Sequence, residues 1–204
     1  MTPHPFPKKG ERDGVRGTSL KNQSEGVNRE MLTVEGFSGH RIEIPEDRYY
    51  LPGSELWAQA KEDVNTLVFG LTQAGVILAG SVVSLEYLVE EGQTVSSGDA
   101  IAFAVTNKVK FIETPLAGII LSLNQAVVDH PGLFQEDPYA RAWIFSLRLF
   151  GSANLLDHFL DPISYQQRLL HSEACGNPEG LKGGSSPTCR TIYSSLRSQK
   201  KGDA

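Results

Sequence analysis

GDAIAFAVTNKVKFIETPLAG, residues Gly98 to Gly118, is the stretch on which the fold turns. Two short arms of alternating apolar residues flank the polar tip Thr106-Asn107-Lys108. Alternation marks half-buried strands, and the break between the arms marks a hairpin. Parity then sets the register. A three-residue tip at Thr106 to Lys108 puts Val105 opposite Val109 and Phe103 opposite Phe111, and drops Lys110 onto the face of the small Ala104. A turn on Thr106-Asn107 alone would set Phe103 against Lys110, a poorer pair. A two-residue tip at Asn107-Lys108 is also acceptable. In both acceptable registers Lys108 stands at the apex. A lysine lifted clear of a compact β domain suits a swinging-arm carrier, whose amine must enter another enzyme to be modified. An ordinary solvated turn lysine gives the same pattern.

Bulk properties narrow the classes. The 204 residues suffice for one cored domain plus tails. A net charge of −5 argues against a general nucleic-acid binder, which needs a basic stripe. The sequence contains no apolar run long enough to span a membrane. The start, MTPHPFPKKGERDG, lacks the apolar stretch of a secretory signal. Cys175 and Cys189 both fall in a polar C-terminal region, with His171 as the nearby histidine; they read as free thiols of a reducing, cytoplasmic compartment, with a redox pair as the alternative.

Composition divides the chain into three parts. Residues 1–30 are polar and charged and read as a disordered tail, because they cannot bury enough apolar surface to offset ordering entropy. Residues 31–170 form the domain, and 171–204 a second polar, glycine- and serine-rich tail. Within the domain, short strands are expected around Leu32-Thr33-Val34, from Glu55 to Ala60, and from Asn65 to Phe69, with Lys61-Glu62-Asp63 as a turn. Gly70 to Ala79 is ambiguous: Thr72 can cap a short helix, but Gly75 weakens it. Ser81 to Val89 reads as a strand with Val83, Leu85 and Tyr87 on one face. Two glycine turns around a short strand follow, from Glu90 to Asp99. After the hairpin, Ile119 to Asn124 is a strand and Gln125 to Tyr139 a loop punctuated by Pro131, Gly132 and Pro138. Ala142 to Leu149 alternates again, with Trp143, Phe145, Leu147 and Leu149 on one side. Asp161-Pro162 starts a helix to about Leu170, with Ile163, Gln166 or Gln167, and Leu170 on one face. Seven or eight short strands with glycine turns make a mainly β fold, a small barrel or flattened sandwich.

These pieces, in this order, resemble the H protein of the glycine cleavage system from about Pro45 to Leu170. The resemblance rests on Tyr49-Tyr50 with Glu55-Leu56-Trp57, on Gly70-Leu71-Thr72 with Gly80, and on Glu91-Gly92-Gln93-Thr94-Val95 with Gly98-Asp99. Pro115-Leu116-Ala117-Gly118, Asn124, Asp137-Pro138-Tyr139 with Trp143, and the segment Asp161 to Leu170 complete it. It implies a lipoyl/biotinyl-type β barrel-sandwich hybrid with a short C-terminal helix. It also implies a lysine acylated with lipoate by a lipoate ligase or lipoyl transferase. The implied work is carriage, not catalysis: an aminomethyl group passes from a glycine decarboxylase to the tetrahydrofolate-dependent T protein, and a dihydrolipoyl dehydrogenase reoxidises the arm.

The tip departs from the family's glutamate-serine-valine-lysine-alanine. Counted forward from Gly98-Asp99, the modified position is Lys108. Counted back from Pro115, it is Asn107, so the second arm is one residue short. The family's glutamate is replaced by Ala104 or Val105. Lys110 is the poorer candidate because it sits on an arm. Biotin carriers place methionine on both sides of their lysine, and this chain has methionine only at Met1 and Met31. Two readings besides glycine cleavage stand: a carrier in a sulfur-transfer pathway, and an H-like interaction or regulatory module with no prosthetic group. An enzyme is disfavoured, since the histidines are scattered and no nucleophile motif is present.

Overall fold

A computed structural model describes residues 30–61, 65–151 and 157–176. The expected tails at 1–30 and 171–204 lie outside these residues except for 30 and 171–176, as do Cys189 and most of the turn expected at 61–63.

The chain opens with a hairpin of β1 (Met31–Phe37) and β2 (His40–Pro45), paired so that Leu32 faces Ile44 and Val34 faces Ile42. The sequence reading gives only a short strand here. The second arm was nevertheless encoded: Ile42 and Ile44 alternate with polar residues, and Ser38-Gly39 takes positive φ at both positions, 50° and 82°. Two consecutive left-handed residues match the twist of a tight hairpin.

Next come β3 (Tyr49–Leu51), β4 (Leu56–Ala60), β5 (Thr66–Leu71), α1 (Gln73–Ala79), β6 (Ser84–Tyr87) and β7 (Thr94–Val95). The lysine hairpin is β8 (Ala100–Val105) and β9 (Val109–Glu113), followed by β10 (Gly118–Leu123), α2 (Gln125–Asp129), α3 (Leu133–Glu136) and β11 (Trp143–Leu149). The chain ends in α4 (Pro162–Leu170) and α5 (Glu173–Gly176). Strands dominate, as expected. They build a six-stranded sheet, order β3-β4-β5-β11-β10-β7, and a three-stranded sheet, order β6-β8-β9, both open.

Burial follows the strand period of two. Leu56 and Ala58 enter the main core, where the two sheets meet, while Trp57 enters a second core on the other face. The first core holds Phe69 stacked on Phe145 at 4.7 Å with Ile101, Ile112 and Leu85. The second lies beneath β1, β2 and α4 and holds Phe37, Ile42, Tyr50 and Tyr165. Covered on both faces, β5 is buried at all of its positions, and β11 is buried from Ile144 to Leu147, Ser146 included.

Both expected helix caps form. The Thr72 hydroxyl accepts from Gly75 N–H at 2.9 Å, and the Asp161 carboxylate accepts from Ser164 N–H at 2.9 Å. Four details differ, the first being Trp143, which packs against the second core rather than beside Phe145, Leu147 and Leu149 in the first. The expected loop from Gln125 contains α2 and α3, which are too short to show a helical period; Asn124 caps α2. In α4 the buried residues are Tyr165 and Leu169, whereas Ile163 and Leu170 are 63% and 45% exposed. Val83 precedes β6, so the pleat does not turn it inward with Leu85; it is 68% exposed.

Among the described residues, no helix is long and apolar enough to cross a membrane. Structure continues past Leu170, because Ala174 packs into the second core and its carbonyl accepts from Ser38 N–H at 2.7 Å. A fragment of residues 31–176 should therefore melt cooperatively. One ending at Leu170 should lose about 1 kcal/mol from that bond and the buried methyl. Thermal melts of the two fragments check this; equal midpoints would show that α5 adds nothing.

Candidate functional site

The hairpin takes the three-residue register. Val105 faces Val109, Phe103 faces Phe111, and Ala104 faces Lys110. The tip closes on Thr106. Its N–H and its hydroxyl both donate to the Lys108 carbonyl, at 2.8 and 2.9 Å, and its hydroxyl accepts from Lys108 N–H at 3.2 Å. Asn107 leans on the C-terminus of α1, where a Cβ added at Gly80 would lie 2.7 Å from its Nδ2. Gly80 has φ +81°, so glycine suits both the backbone and the contact. With the turn fixed on both sides, Lys108 is exposed and its side chain makes no hydrogen bond or ion pair to the described residues.

The same pairing places the other two candidates, Asn107 in the turn and Lys110 on β9. Asn107 carries an amide and has no nucleophilic amine. Lys110 follows Ala104 to the inner face, where it is half-buried. There it lines a cleft of ≈ 590 Å³ between the hairpin and α1, together with Lys108, Glu55, Gly75, Leu78 and Ala79. Burial lowers the Lys110 ammonium from its ordinary range, and the negative charge of Glu55 partly offsets this.

Glu55 is the residue to which the sequence reading assigned no role beyond a motif and the head of a strand. It has φ +57°, the left-handed region that a residue with a Cβ rarely adopts. Its partners come from two helices. Its carbonyl accepts from Thr72 N–H at 2.8 Å, and its Oε2 accepts from the Thr72 hydroxyl at 3.0 Å and from the Tyr165 hydroxyl at 2.9 Å. A Cβ at Gly75 would lie 2.5 Å from Glu55 Cβ. The glycine that weakens α1 by about 1 kcal/mol relative to alanine thus makes room for the carboxylate. Burial raises the Glu55 carboxyl above its ordinary range. The Tyr165 and Thr72 hydroxyls, then the charges of Lys110 and Arg168, oppose that rise.

Aromatic packing holds α1 in place behind the cleft. Arg48 is fully buried, with its guanidinium 4.5 Å from the centroid of the Trp57 ring and 5.3 Å from that of Tyr139. Its Nη1 donates to the Tyr139 carbonyl at 2.9 Å, and Trp57 Nε1 donates to the Pro138 carbonyl at 3.0 Å. The Tyr139 hydroxyl then accepts from Gln73 N–H, in the first turn of α1, at 3.2 Å. Tyr50 stacks on Tyr165 at 4.4 Å, which orients the hydroxyl that reaches Glu55.

The sequence family described as glycine cleavage H-protein matches residues 48–171, more than half of the chain. The chain belongs to this family. It is 37% identical over 134 residues to the glycine cleavage system H protein of Thermus thermophilus, covering 65% of this chain and 100% of the relative. It is 36% identical over 127 residues to that of Escherichia coli, covering 62% and 95%. The crystal structure of a glycine cleavage system H protein from Mycobacterium marinum superposes with a TM-score of 0.53 at 27% identity, covering 61% of this chain and 98% of the other.

Within this H-protein chain the motif residues divide into two groups. Tyr50, Trp57, Pro138 and Tyr139 build the second core and its hydrogen bonds. Glu55, Lys108 and Lys110 meet at the cleft. Val105 is half-buried opposite Val109. The outer face of the hairpin is correspondingly apolar, with Val109 and Phe111 59% and 57% exposed. Among the described residues no group of three His, Cys, Asp or Glu side chains could hold a metal ion.

Two measurements test this architecture. Gly75→Ala should destabilise the fold by about 1–3 kcal/mol despite the better helix propensity, because the methyl has no space beside Glu55. Denaturant melts would read this, and a stabilised variant would refute the contact. The second test is Glu55→Gln across pH. The folded state favours protonated Glu55, so wild-type stability should fall, relative to the variant, as pH rises from the ordinary value of 4.5 through the raised one. Parallel stability curves between pH 4 and 7 would show that burial does not penalise the carboxylate.

Proposed function

We propose that this protein is a lipoyl carrier in which Lys108 bears the prosthetic group. The observation that carries the reading is the placement of one amine: Lys108 stands exposed at the apex of a closed turn, unpaired among the described residues, beside a cleft. The residues fit the group. A free primary amine is the nucleophile that an amide-forming ligase or transferase needs, and Leu78, Ala79 and Val109 give the adjoining cleft apolar wall against which an aliphatic arm can lie. When attached, lipoate supplies a reversibly reducible pair of sulfurs at the end of a long tether.

The chain's own part is positioning. Thr106 and the Asn107–Gly80 contact hold the turn, so movement is left to the lysine side chain and whatever it bears. A tether on a rigid mount keeps its end at high effective concentration for each enzyme that docks beside it. By family, those enzymes are a glycine decarboxylase-like donor, a T protein-like acceptor and a dihydrolipoyl dehydrogenase, with an aminomethyl group as cargo. A sulfur-transfer pathway would use the same mount with other partners.

A second reading has its own support. Valine rather than a carboxylate stands at 105, and the hairpin's outer face exposes Val109 and Phe111, a surface suited to protein contact without any prosthetic group. Intact-mass analysis after coexpression with a lipoate ligase and lipoate separates the two. The carrier reading expects a lipoyl-sized mass gain on the wild type that Lys108→Arg abolishes and Lys110→Arg retains. Lys108→Arg should change stability by less than about 0.5 kcal/mol, since the side chain packs against little. An unmodified wild type, under conditions that lipoylate another H protein, would favour the interaction module.

A further inference from the structure

We propose that the outer face of the lysine hairpin is covered by this chain's own C-terminal segment, Arg190 to Lys201. The inference goes beyond the carrier reading and does not depend on whether Lys108 bears a group. In the sheet β6-β8-β9, Leu85, Ala102, Ala104 and Ile112 enter the main core. The alternate positions, Glu86, Phe103, Val105, Val109, Phe111 and Glu113, therefore share the opposite face. Val109 and Phe111 are more than half exposed there, and Phe103 leans on Phe111 beside them.

This face is apolar along the hairpin and acidic away from its tip. Glu86 and Glu113 are exposed and make no ion pair to the described residues. An occupant needs large apolar side chains for the phenylalanines and cations for the two carboxylates. The segment from Arg190 to Lys201 carries Ile192, Tyr193 and Leu196 with Arg190, Arg197, Lys200 and Lys201, and it has no carboxylate. The chain's charge is divided in the same sense. Residues 31–176 hold 18 Asp or Glu against 8 Lys or Arg, a net of −10, whereas residues 177–204 hold 2 against 5, a net of +3. Opposite charge favours association between the two parts. Residues 1–30 mix 6 Lys or Arg with 4 carboxylates and fit less well. A second copy laid face to face would bring two acidic faces together.

The connection is long enough. The last described residue, Gly176, ends α5, whose Glu173 and Ala174 line a cavity with Glu55 and Leu78. Those same two residues line the cleft beside the hairpin, so α5 lies close to it. Fourteen residues lead from Gly176 to Arg190. They can span up to about 45 Å, more than the roughly 35 Å diameter of a domain of this size. A segment on the same chain is held at high effective concentration, so a few contacts suffice to seat it. Seated there, it flanks the turn that bears Lys108 and must leave before another protein can dock on the hairpin face. It is an internal competitor for that surface.

Cys189 adjoins the segment and supplies the place for a probe. Full-length protein with Cys175→Ser receives a nitroxide on Cys189, and amide signal intensities are compared with those of the reduced label at low salt. Phe103, Phe111 and Glu113 should lose intensity by about twofold or more, while Val68 and Ser146, across the main core, keep theirs. Raising salt to about 0.5 M should weaken the loss, because exposed charges are then screened. Glu86→Lys with Glu113→Lys should restore the intensities, and so should Ile192→Ser with Leu196→Ser. Adding Arg190→Glu, Arg197→Glu, Lys200→Glu and Lys201→Glu to the hairpin double variant should bring the loss back, which a merely damaged fold would not do. No loss at the hairpin, a loss spread evenly over the domain, or one that survives both double variants overturns the proposal. So does an equal loss when the nitroxide sits on a separate chain, which would assign the contact to a second copy. Acylation of Lys108 enters none of these measurements, so failure of the carrier reading leaves their outcome unchanged.

Discussion

The seat of Glu55 is the constraint on which the site depends. A residue with a Cβ held at φ +57° is costly by about 1 kcal/mol or more, so its surroundings must fix it there. Three elements do so: the cap of α1 through Thr72, the vacant face of Gly75, and α4 through Tyr165. Each also serves the main fold. Thr72 starts a helix, Tyr165 stacks in the second core, and Gly75 brings the helix against the strand. The carboxylate is thereby aimed at the hairpin by the same contacts that join the N-terminal strands to the C-terminal helix.

The hairpin shows how one register gives two adjacent lysines opposite roles. Lys108 is in the turn and leaves the protein. Lys110, two residues on, obeys the pleat and points inward because Ala104 opposite it is small. The outer face keeps the larger side chains, Phe103 and Phe111, tilted against one another at 6.4 Å. A shift of the turn by one residue would exchange these surfaces. The three-residue tip thus gives both the apex lysine and the closed turn.

Much of this was legible in the sequence for local reasons. The hairpin register needs only parity and side-chain size. The caps at Thr72 and Asp161 need only an oxygen at the right position. What was not legible depended on distant partners. Ile163 and Leu170 look as apolar as Leu169, but α4 buries the stripe containing Tyr165, because Tyr50 stacks on it and Glu55 accepts its hydroxyl. Glu55 itself resembled any polar strand terminus, since neither its left-handed φ nor Lys110 across the cleft leaves a mark nearby in the chain. The helices α2 and α3 were missed because five and four residues are too few to display a period. The residues of the Asp137-Pro138-Tyr139 motif stood out as a family signature, while their work, bracing α1 through Arg48 and Trp57, appears only in three dimensions.

The bond between Glu55 and Tyr165 spans 110 residues of chain. Synthesis runs from the N-terminus, so the lysine hairpin emerges from the ribosome well before its cleft can be finished. A nascent chain that has just completed the hairpin can present the lysine while Glu55 still lacks its tyrosine and the second core lacks a wall. Contacts this distant close last and slowly, after shorter loops have formed. A truncated product ending before α4 would therefore have the handle of a carrier without the finished chamber beside it. An enzyme that reads only the turn could not tell the two apart, whereas one that also touches the cleft would act on complete chains alone.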